Sequence, residues 1–126
     1  MQGILVGSGG FIGSVLRYAM GGAVHRLLPF TTFPLGTFVV NALGCLAIGF
    51  LAGLAEARQL IGPGMRLFLY IGILGGFTTF STFAAESFVL AETGRWVGAG
   101  IYVAANFLIG LLALVTAAML VKGWMA

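Results

Sequence analysis

The chain has 126 residues, 60% of them hydrophobic and 7% charged, with a mean hydropathy of +1.13. No soluble domain of that size can hide so much apolar surface, so the sequence describes an integral membrane protein. Six Lys/Arg against three Glu and no Asp give a net charge of +3 and a pI near 9.6, charge that suits loops and lipid headgroups rather than a nucleic-acid surface.

A membrane helix needs about 20 apolar residues. Four such runs, approximately 3–28, 35–57, 65–90 and 96–121, fill the chain as a single transmembrane domain over 1–126, all α. No cleavable signal peptide is expected, because the first run follows Met1 without a basic region or a convincing cleavage site.

The first run carries Gly3, Gly7, Gly9, Gly13 and Gly21. The pairs Gly3/Gly7 and Gly9/Gly13 have the spacing that lets one helix backbone approach another. Arg17 lies in the same run. A charge at membrane depth costs about 2.5–3.5 kcal/mol on insertion scales, so it faces protein, water or the interface. Pro29 and Pro34 bracket Thr31 and Thr32 in the turn that follows.

In the second run Thr37, Asn41, Gly44 with Cys45, and Ile48 share a face at helical spacing, and Gly49/Gly53 form another small-residue pair. The single cysteine, Cys45, reads as a core residue, and the single histidine, His25, as a loop residue. No metal-ligand or nucleophile–base spacing occurs, so an enzyme is the least supported class.

The third run is interrupted. Gly75 and Gly76 break the helical pattern, and Thr78, Thr79, Ser81 and Thr82 follow among phenyl rings at Phe77, Phe80 and Phe83. A lipid-facing helix has no use for that cluster. Backbone that leaves a helix in hydrocarbon must be buried in protein or face a water-filled path, so the function is expected at this break, in mid-membrane. The helix restarts with Thr78 or Thr79 near its N-terminus. Phe80, Phe83 and Ser87 then share one face, and Thr79, Thr82 and Glu86 the next. The fourth run has Tyr102, Asn106 and Thr116 as its polar members, bracketed by Trp96 and Trp124.

Four spans place Arg58, Arg66 and Lys122 on one side of the membrane, and Arg26 and Arg95, with His25, on the other. That is almost no positive-inside bias. A chain without a bias can insert both ways and pair with its inverted copy, the dimeric counterpart of the inverted repeats that line many transport paths. Four short helices rarely enclose a polar path alone, so an antiparallel, dual-topology homodimer is the economical reading.

Three stretches match a known pattern in order and spacing: 9–18 (GGFIGSVLRY), 36–41 (GTFVVN) and 75–83 (GGFTTFSTF), with Glu86 after the last. On these the chain resembles the Fluc (CrcB) family of small bacterial fluoride channels over essentially all four spans. The resemblance implies an antiparallel homodimer with two fluoride pathways in the bacterial inner membrane. It also implies a structural sodium ion at the dimer centre, held by the backbone carbonyls of Gly75 and Thr78 from both subunits. It assigns the paired phenylalanines to Phe80 and Phe83, the pore asparagine to Asn41, the hydroxyl track to Thr37, Ser81 and Thr82, the arginine to Arg17 and the central glutamate to Glu86. Where the family often offers Ser or Thr in the fourth span, this chain has Gly110 and Leu114, and Tyr102 is the better candidate.

The chemistry is coherent. Fluoride is small and strongly hydrated, so a pore must replace its water with hydrogen-bond donors and still let go. Asn41 offers an amide N–H, and Thr37, Ser81 and Thr82 offer hydroxyls. Phenyl edges carry partial positive charge that favours an anion edge-on. A hard cation such as sodium suits the free carbonyls of an interrupted helix and favours anions nearby. Each residue also has a plainer reading. Phe80 and Phe83 fit ordinary packing on spacing alone, Asn41 an interhelical bond, and Ser81, Thr82 and Thr37 bonds to their own helices. Arg17 either caps carbonyls or draws anions into a vestibule. Glu86 either sits protonated at a pore mouth or makes structural hydrogen bonds. The expected function is passive export of cytoplasmic fluoride, conferring fluoride resistance. The alternatives are a dual-topology proton-coupled multidrug exporter, which wants a carboxylate in the first span, and a non-transporting membrane subunit.

Overall fold

The four apolar runs are helices in a computed structural model, which describes residues 1–58 and 61–125; no strand occurs among the described residues. Helix α1 spans Gln2–Leu27 and α2 spans Leu35–Arg58. The third run is segmented into α3 (Pro63–Arg66), a π-helix (Leu67–Leu74), α4 (Gly75–Phe77) and α5 (Phe80–Glu92), and α6 spans Trp96–Met125. Each of the four runs is long and apolar enough to cross a membrane.

The break in the third run differs in place from the sequence expectation. Gly75 is helical, at φ −63° and ψ −36°. The chain leaves the helix at Thr78 (φ −81°, ψ 159°) and Thr79 (φ −150°, ψ 115°). The hydroxyls, not the glycines, set this position. Thr78 donates to the Leu74 carbonyl from both its N–H and its Oγ1, each at 2.9 Å, which closes the last turn. Thr79 then caps α5, its Oγ1 accepting from the Thr82 N–H at 3.2 Å.

Gly76, with Gly9 and Gly13, serves packing. A Cβ on Gly76 would lie 2.6 Å from the Gly10 carbonyl oxygen, one on Gly9 would lie 2.6 Å from the Phe68 carbonyl oxygen, and one on Gly13 would collide with the Ile73 carbonyl. Helix α1 therefore crosses the first half of the third run backbone on backbone, a contact that in lipid rests on close van der Waals approach. The second tight pair is α2 with α6. There Gly49 sits against the Leu114 carbonyl, and a Cβ on Gly53 would lie 2.8 Å from that of Val121. The pair Gly3/Gly7 meets nothing within 4 Å among the described residues.

Helix α5 leans on α6 through a cluster of Leu90, Ala99 and Tyr102, with Phe33, Phe38 and Phe83 against it. The connection between them is a Schellman turn: Gly94 takes φ +78°, Arg95 N–H bonds the Leu90 carbonyl at 2.9 Å, and Gly94 N–H bonds that of Ala91 at 3.0 Å. At this end Arg95 Nη1 donates to the Thr32 carbonyl at 3.0 Å. At the opposite end Lys122 pairs with Glu56 at 2.6 Å. Arg66 and Lys122 thus lie at one end and Arg26, His25 and Arg95 at the other, while the side chain of Arg58 lies outside the described residues. Large apolar side chains such as Phe11, Phe107, Leu112 and Leu120 point outward, as they do on a surface facing lipid or another membrane helix.

Candidate functional site

The extended residue at the break needs partners for its backbone, and a side chain from α2 provides them. Thr79 N–H donates to Asn41 Oδ1 at 3.0 Å, and Asn41 Nδ2 donates back to the Thr79 carbonyl at 3.2 Å. The carboxamide stands in for a neighbouring strand, and Thr79 is buried. Because the peptide N–H can only donate, the orientation of the Asn41 amide is fixed. Its second N–H reaches Asn106 Oδ1 on α6 at 3.4 Å, and Asn106 Nδ2 donates to the Tyr102 carbonyl one turn back at 3.0 Å.

A cleft of about 470 Å³ lies on one side of this pairing, lined by Arg17, Thr37, Val40, Thr79, Thr82 and Glu86, with His25 and Arg26 also on its wall. Arg17 is half-buried and, among the described residues, makes no ion pair or hydrogen bond. Its charge therefore stands on the cleft wall without a described counter-ion. Thr79 Oγ1 donates to Thr82 Oγ1 at 2.9 Å and lies 3.5 Å from Ser81 Oγ, so three hydroxyls form a short chain at the start of α5. Glu86, one turn further along, is held from two sides. Thr37 Oγ1 donates to its Oε1 at 2.8 Å, and the Tyr102 hydroxyl donates to its Oε2 at 2.6 Å. The carboxylate so joins α2, α5 and α6.

On the other side is a chamber of about 260 Å³, lined by Asn41, Cys45, Thr79, Phe80, Phe83 and Asn106, among others. The rings of Phe80 and Phe83 lie 5.7 Å apart at 54°, and Phe83 lies 5.5 Å from Tyr102. Phe83 is packed into the chain, whereas Phe80 is 79% exposed. Thr79 lines both cavities and Asn41 lines the chamber, so Thr79, braced by Asn41 from the chamber side, is the wall they share.

Helix α4 ends on the same wall. Among the described residues, the carbonyls of Gly75, Gly76, Phe77 and Thr78 accept no hydrogen bond. They are the orphan acceptors of a helix C-terminus. No group of three metal-ligating side chains occurs among the described residues, so a cation here would depend on these carbonyls.

The structure thus divides the residues singled out from sequence. Arg17, Thr37, Thr82 and Glu86 meet on the cleft; Asn41, Phe80 and Phe83 meet on the chamber. Ser81 is exposed and, among the described residues, joins them through Thr79, and Tyr102 is fully buried behind Glu86. The hydroxyls of Thr37 and Tyr102 are both taken up by that carboxylate. Ser87 bonds its own helix, to the Phe83 carbonyl at 2.7 Å. Sequence reasoning missed Thr79 as the pivot and Asn106 as the partner of Asn41. The available signal was two asparagines in otherwise apolar runs, which in lipid seek each other or a backbone group.

A family model described as CrcB-like protein, Camphor Resistance (CrcB), matches residues 4–118. The chain is 48% identical over 108 residues to a fluoride-specific ion channel FluC of Nitratidesulfovibrio vulgaris, an alignment covering 86% of each protein. It is 46% identical over 111 residues to the protein of the same name in Methylobacillus flagellatus, covering 88% of this chain and 87% of that one. A third such relative, from Chlorobaculum tepidum, is 46% identical over 123 residues, covering 96% of this chain and 94% of its own. These relatives are ion channels by name, not enzymes. A family match across nearly all of its length, on four membrane-spanning helices, establishes that this multi-pass membrane protein belongs to the CrcB family.

Proposed function

We propose that this protein is a fluoride-selective channel that lets cytoplasmic fluoride leave passively down its electrochemical gradient. Relatives at 46–48% identity carry that name. The observation that carries the reading is the Asn41–Thr79 wall. It divides a cleft that holds Arg17, unpaired among the described residues, from a chamber lined by phenyl rings. Arg17 raises the local concentration of anions in the cleft. Thr82 and Ser81 supply rotatable hydroxyls to an ion that is losing water. Asn41 supplies an N–H at the wall, and the edges of Phe80 and Phe83 receive the ion beyond it without holding it tightly. Thr37 and Tyr102 act one step away: their bonds to Glu86 hold a carboxylate whose free charge would repel the anion.

The working unit in this proposal is an antiparallel, dual-topology homodimer in the bacterial inner membrane. Both cavities open on the surface of the single chain, and Phe80 is exposed there. The described basic residues are balanced between the two ends, so the charge pattern enforces no orientation. The orphan carbonyls of 75–78 fit a structural sodium ion, with Gly75 and Thr78 from each subunit as its ligands. Such an ion supplies a fixed positive charge beside both pathways. The first helix contains Arg17 and no carboxylate, unlike the proton-exchanging helix that a multidrug exporter requires.

The test is ion release from liposomes holding only this protein, followed with fluoride- and chloride-selective electrodes. Fast fluoride release with negligible chloride release is expected. No release of either ion from folded protein would overturn the proposal and favour a non-transporting subunit. Replacing sodium by a large organic cation is expected to weaken the dimer or slow the flux; indifference in both readouts, after prolonged dialysis, would remove sodium from the account.

A further inference from the structure

The amide of Asn41 has two N–H groups, and the structure treats them differently. One is bonded to the Thr79 carbonyl at 3.2 Å inside a reciprocal pair. The other is bonded to Asn106 Oδ1 at 3.4 Å, near the outer limit of a hydrogen bond. Asn106 is itself oriented. Its Nδ2 is anchored at 3.0 Å on the Tyr102 carbonyl of its own helix, which turns Oδ1 toward Asn41. Both asparagines are half-buried and line the chamber that holds Phe80 and Phe83.

We propose that Asn106 is a positioning residue for anion passage, acting through Asn41. In the absence of an ion it holds the outer N–H of Asn41 in place, and it yields that N–H when an anion arrives. The inference rests on the channel reading above and adds a residue to it. Two physical arguments carry it. A polar group in an apolar chamber that lacks a partner is costly, so without Asn106 the Asn41 amide turns toward another acceptor and loosens its grip on Thr79. A charge-assisted hydrogen bond is shorter and roughly twice as strong as a neutral one, so a small anion readily displaces a neutral contact of this length. Asn106 then keeps its bond to the Tyr102 carbonyl and is ready to receive the N–H back. A larger anion gains less from the same donor and displaces the contact less readily, which contributes to selectivity.

The experiment joins fluoride flux in liposomes to side-chain amide NMR of Asn41 and hydrogen exchange at the Thr79 N–H, on the full chain. Asn106→Leu, which keeps the volume and removes the acceptor, is expected to slow fluoride flux by about tenfold or more, the scale set by an unpartnered buried donor. It is also expected to shift the Asn41 amide protons and to speed exchange at Thr79. Asn106→Ser, whose hydroxyl can bond the Tyr102 carbonyl and offer an oxygen to Asn41 directly or through one water, is expected to restore much of all three. If Leu prevents assembly, Asn106→Ala repeats the test. Slower flux with the Asn41 resonances and Thr79 exchange unchanged would overturn the proposal, because Asn106 would then act on the ion itself. So would unchanged flux in the Leu variant. If the wild-type chain releases no fluoride at all, the channel reading falls. The Asn41 shift alone then decides whether Asn106 positions it, and an unmoved resonance rejects that too.

Discussion

The third run is held in two different ways along its length, and the change comes at Thr78–Thr79. Up to Phe77 it meets α1 glycine to glycine, with Gly9 and Gly13 against the backbone around Gly72 and Gly76 and no side-chain hydrogen bond between the two helices among the described residues. From Phe80 onward it is tied to α2 and α6 by polar side chains, through Glu86 to Thr37 and Tyr102 and, at the break itself, through Thr79 to Asn41. The first half relies on shape, the second on specific donors and acceptors. A membrane interior allows both, since neither needs a hydrophobic driving force. The second half sets hydroxyls and the Glu86 carboxylate beside the cleft. Within one membrane-spanning segment, close backbone packing and polar side-chain bonding are thus kept apart.

Substitutions can break that contrast from either side. The largest effect is expected in the glycine half. Gly13→Val places side-chain atoms on the Ile73 carbonyl and should abolish recovery of folded protein in size-exclusion chromatography. Gly3→Ala meets nothing among the described residues and should leave folding intact. A loss there would show instead that Gly3 faces a second copy. In the polar half, Phe80→Ile should slow fluoride flux by at least about tenfold while assembly persists, because phenyl edges and not bulk favour the anion. Flux at the wild-type rate would remove Phe80 from the pathway. Glu86→Gln leaves one of its two hydroxyl donors without a good acceptor and should lower stability by about 1–3 kcal/mol, read as a depressed melting temperature in detergent. The smallest effect is expected at Lys122→Ala. Its pair with Glu56 is largely exposed, so the change should stay within about 1 kcal/mol.

Much of this was legible in the residues. Four long apolar runs leave no soluble alternative, and the run of hydroxyls after Gly75–Gly76 marks an interruption that lipid would not tolerate. The position of the break was less legible. Glycine propensity points to Gly75 and Gly76, yet the missing side chain of Gly76 is used by α1, and the helix ends where Thr78 and Thr79 can satisfy or redirect its backbone groups. The π-helix over Leu67–Leu74 leaves no mark in an unbroken apolar sequence. The side-chain pairs were illegible for another reason. Asn41 meets Asn106 across 65 residues and Thr37 meets Glu86 across 49, and helical spacing within one segment says nothing about which face of another it opposes. Thr37 and Tyr102 look like free donors in sequence and are bonded to Glu86 in the fold.

The central claim is that the break, pinned by Asn41, is the seat of anion passage. The most direct test is fluoride efflux from liposomes with Asn41→Ala, read beside circular dichroism, elution volume and hydrogen exchange at Thr79. The account predicts that fluoride release falls by well over about tenfold and Thr79 exchanges faster, while helix content and assembly are kept. Wild-type efflux from a variant whose Thr79 N–H has lost its protection would contradict it, since the ion would then pass without the wall that Asn41 builds.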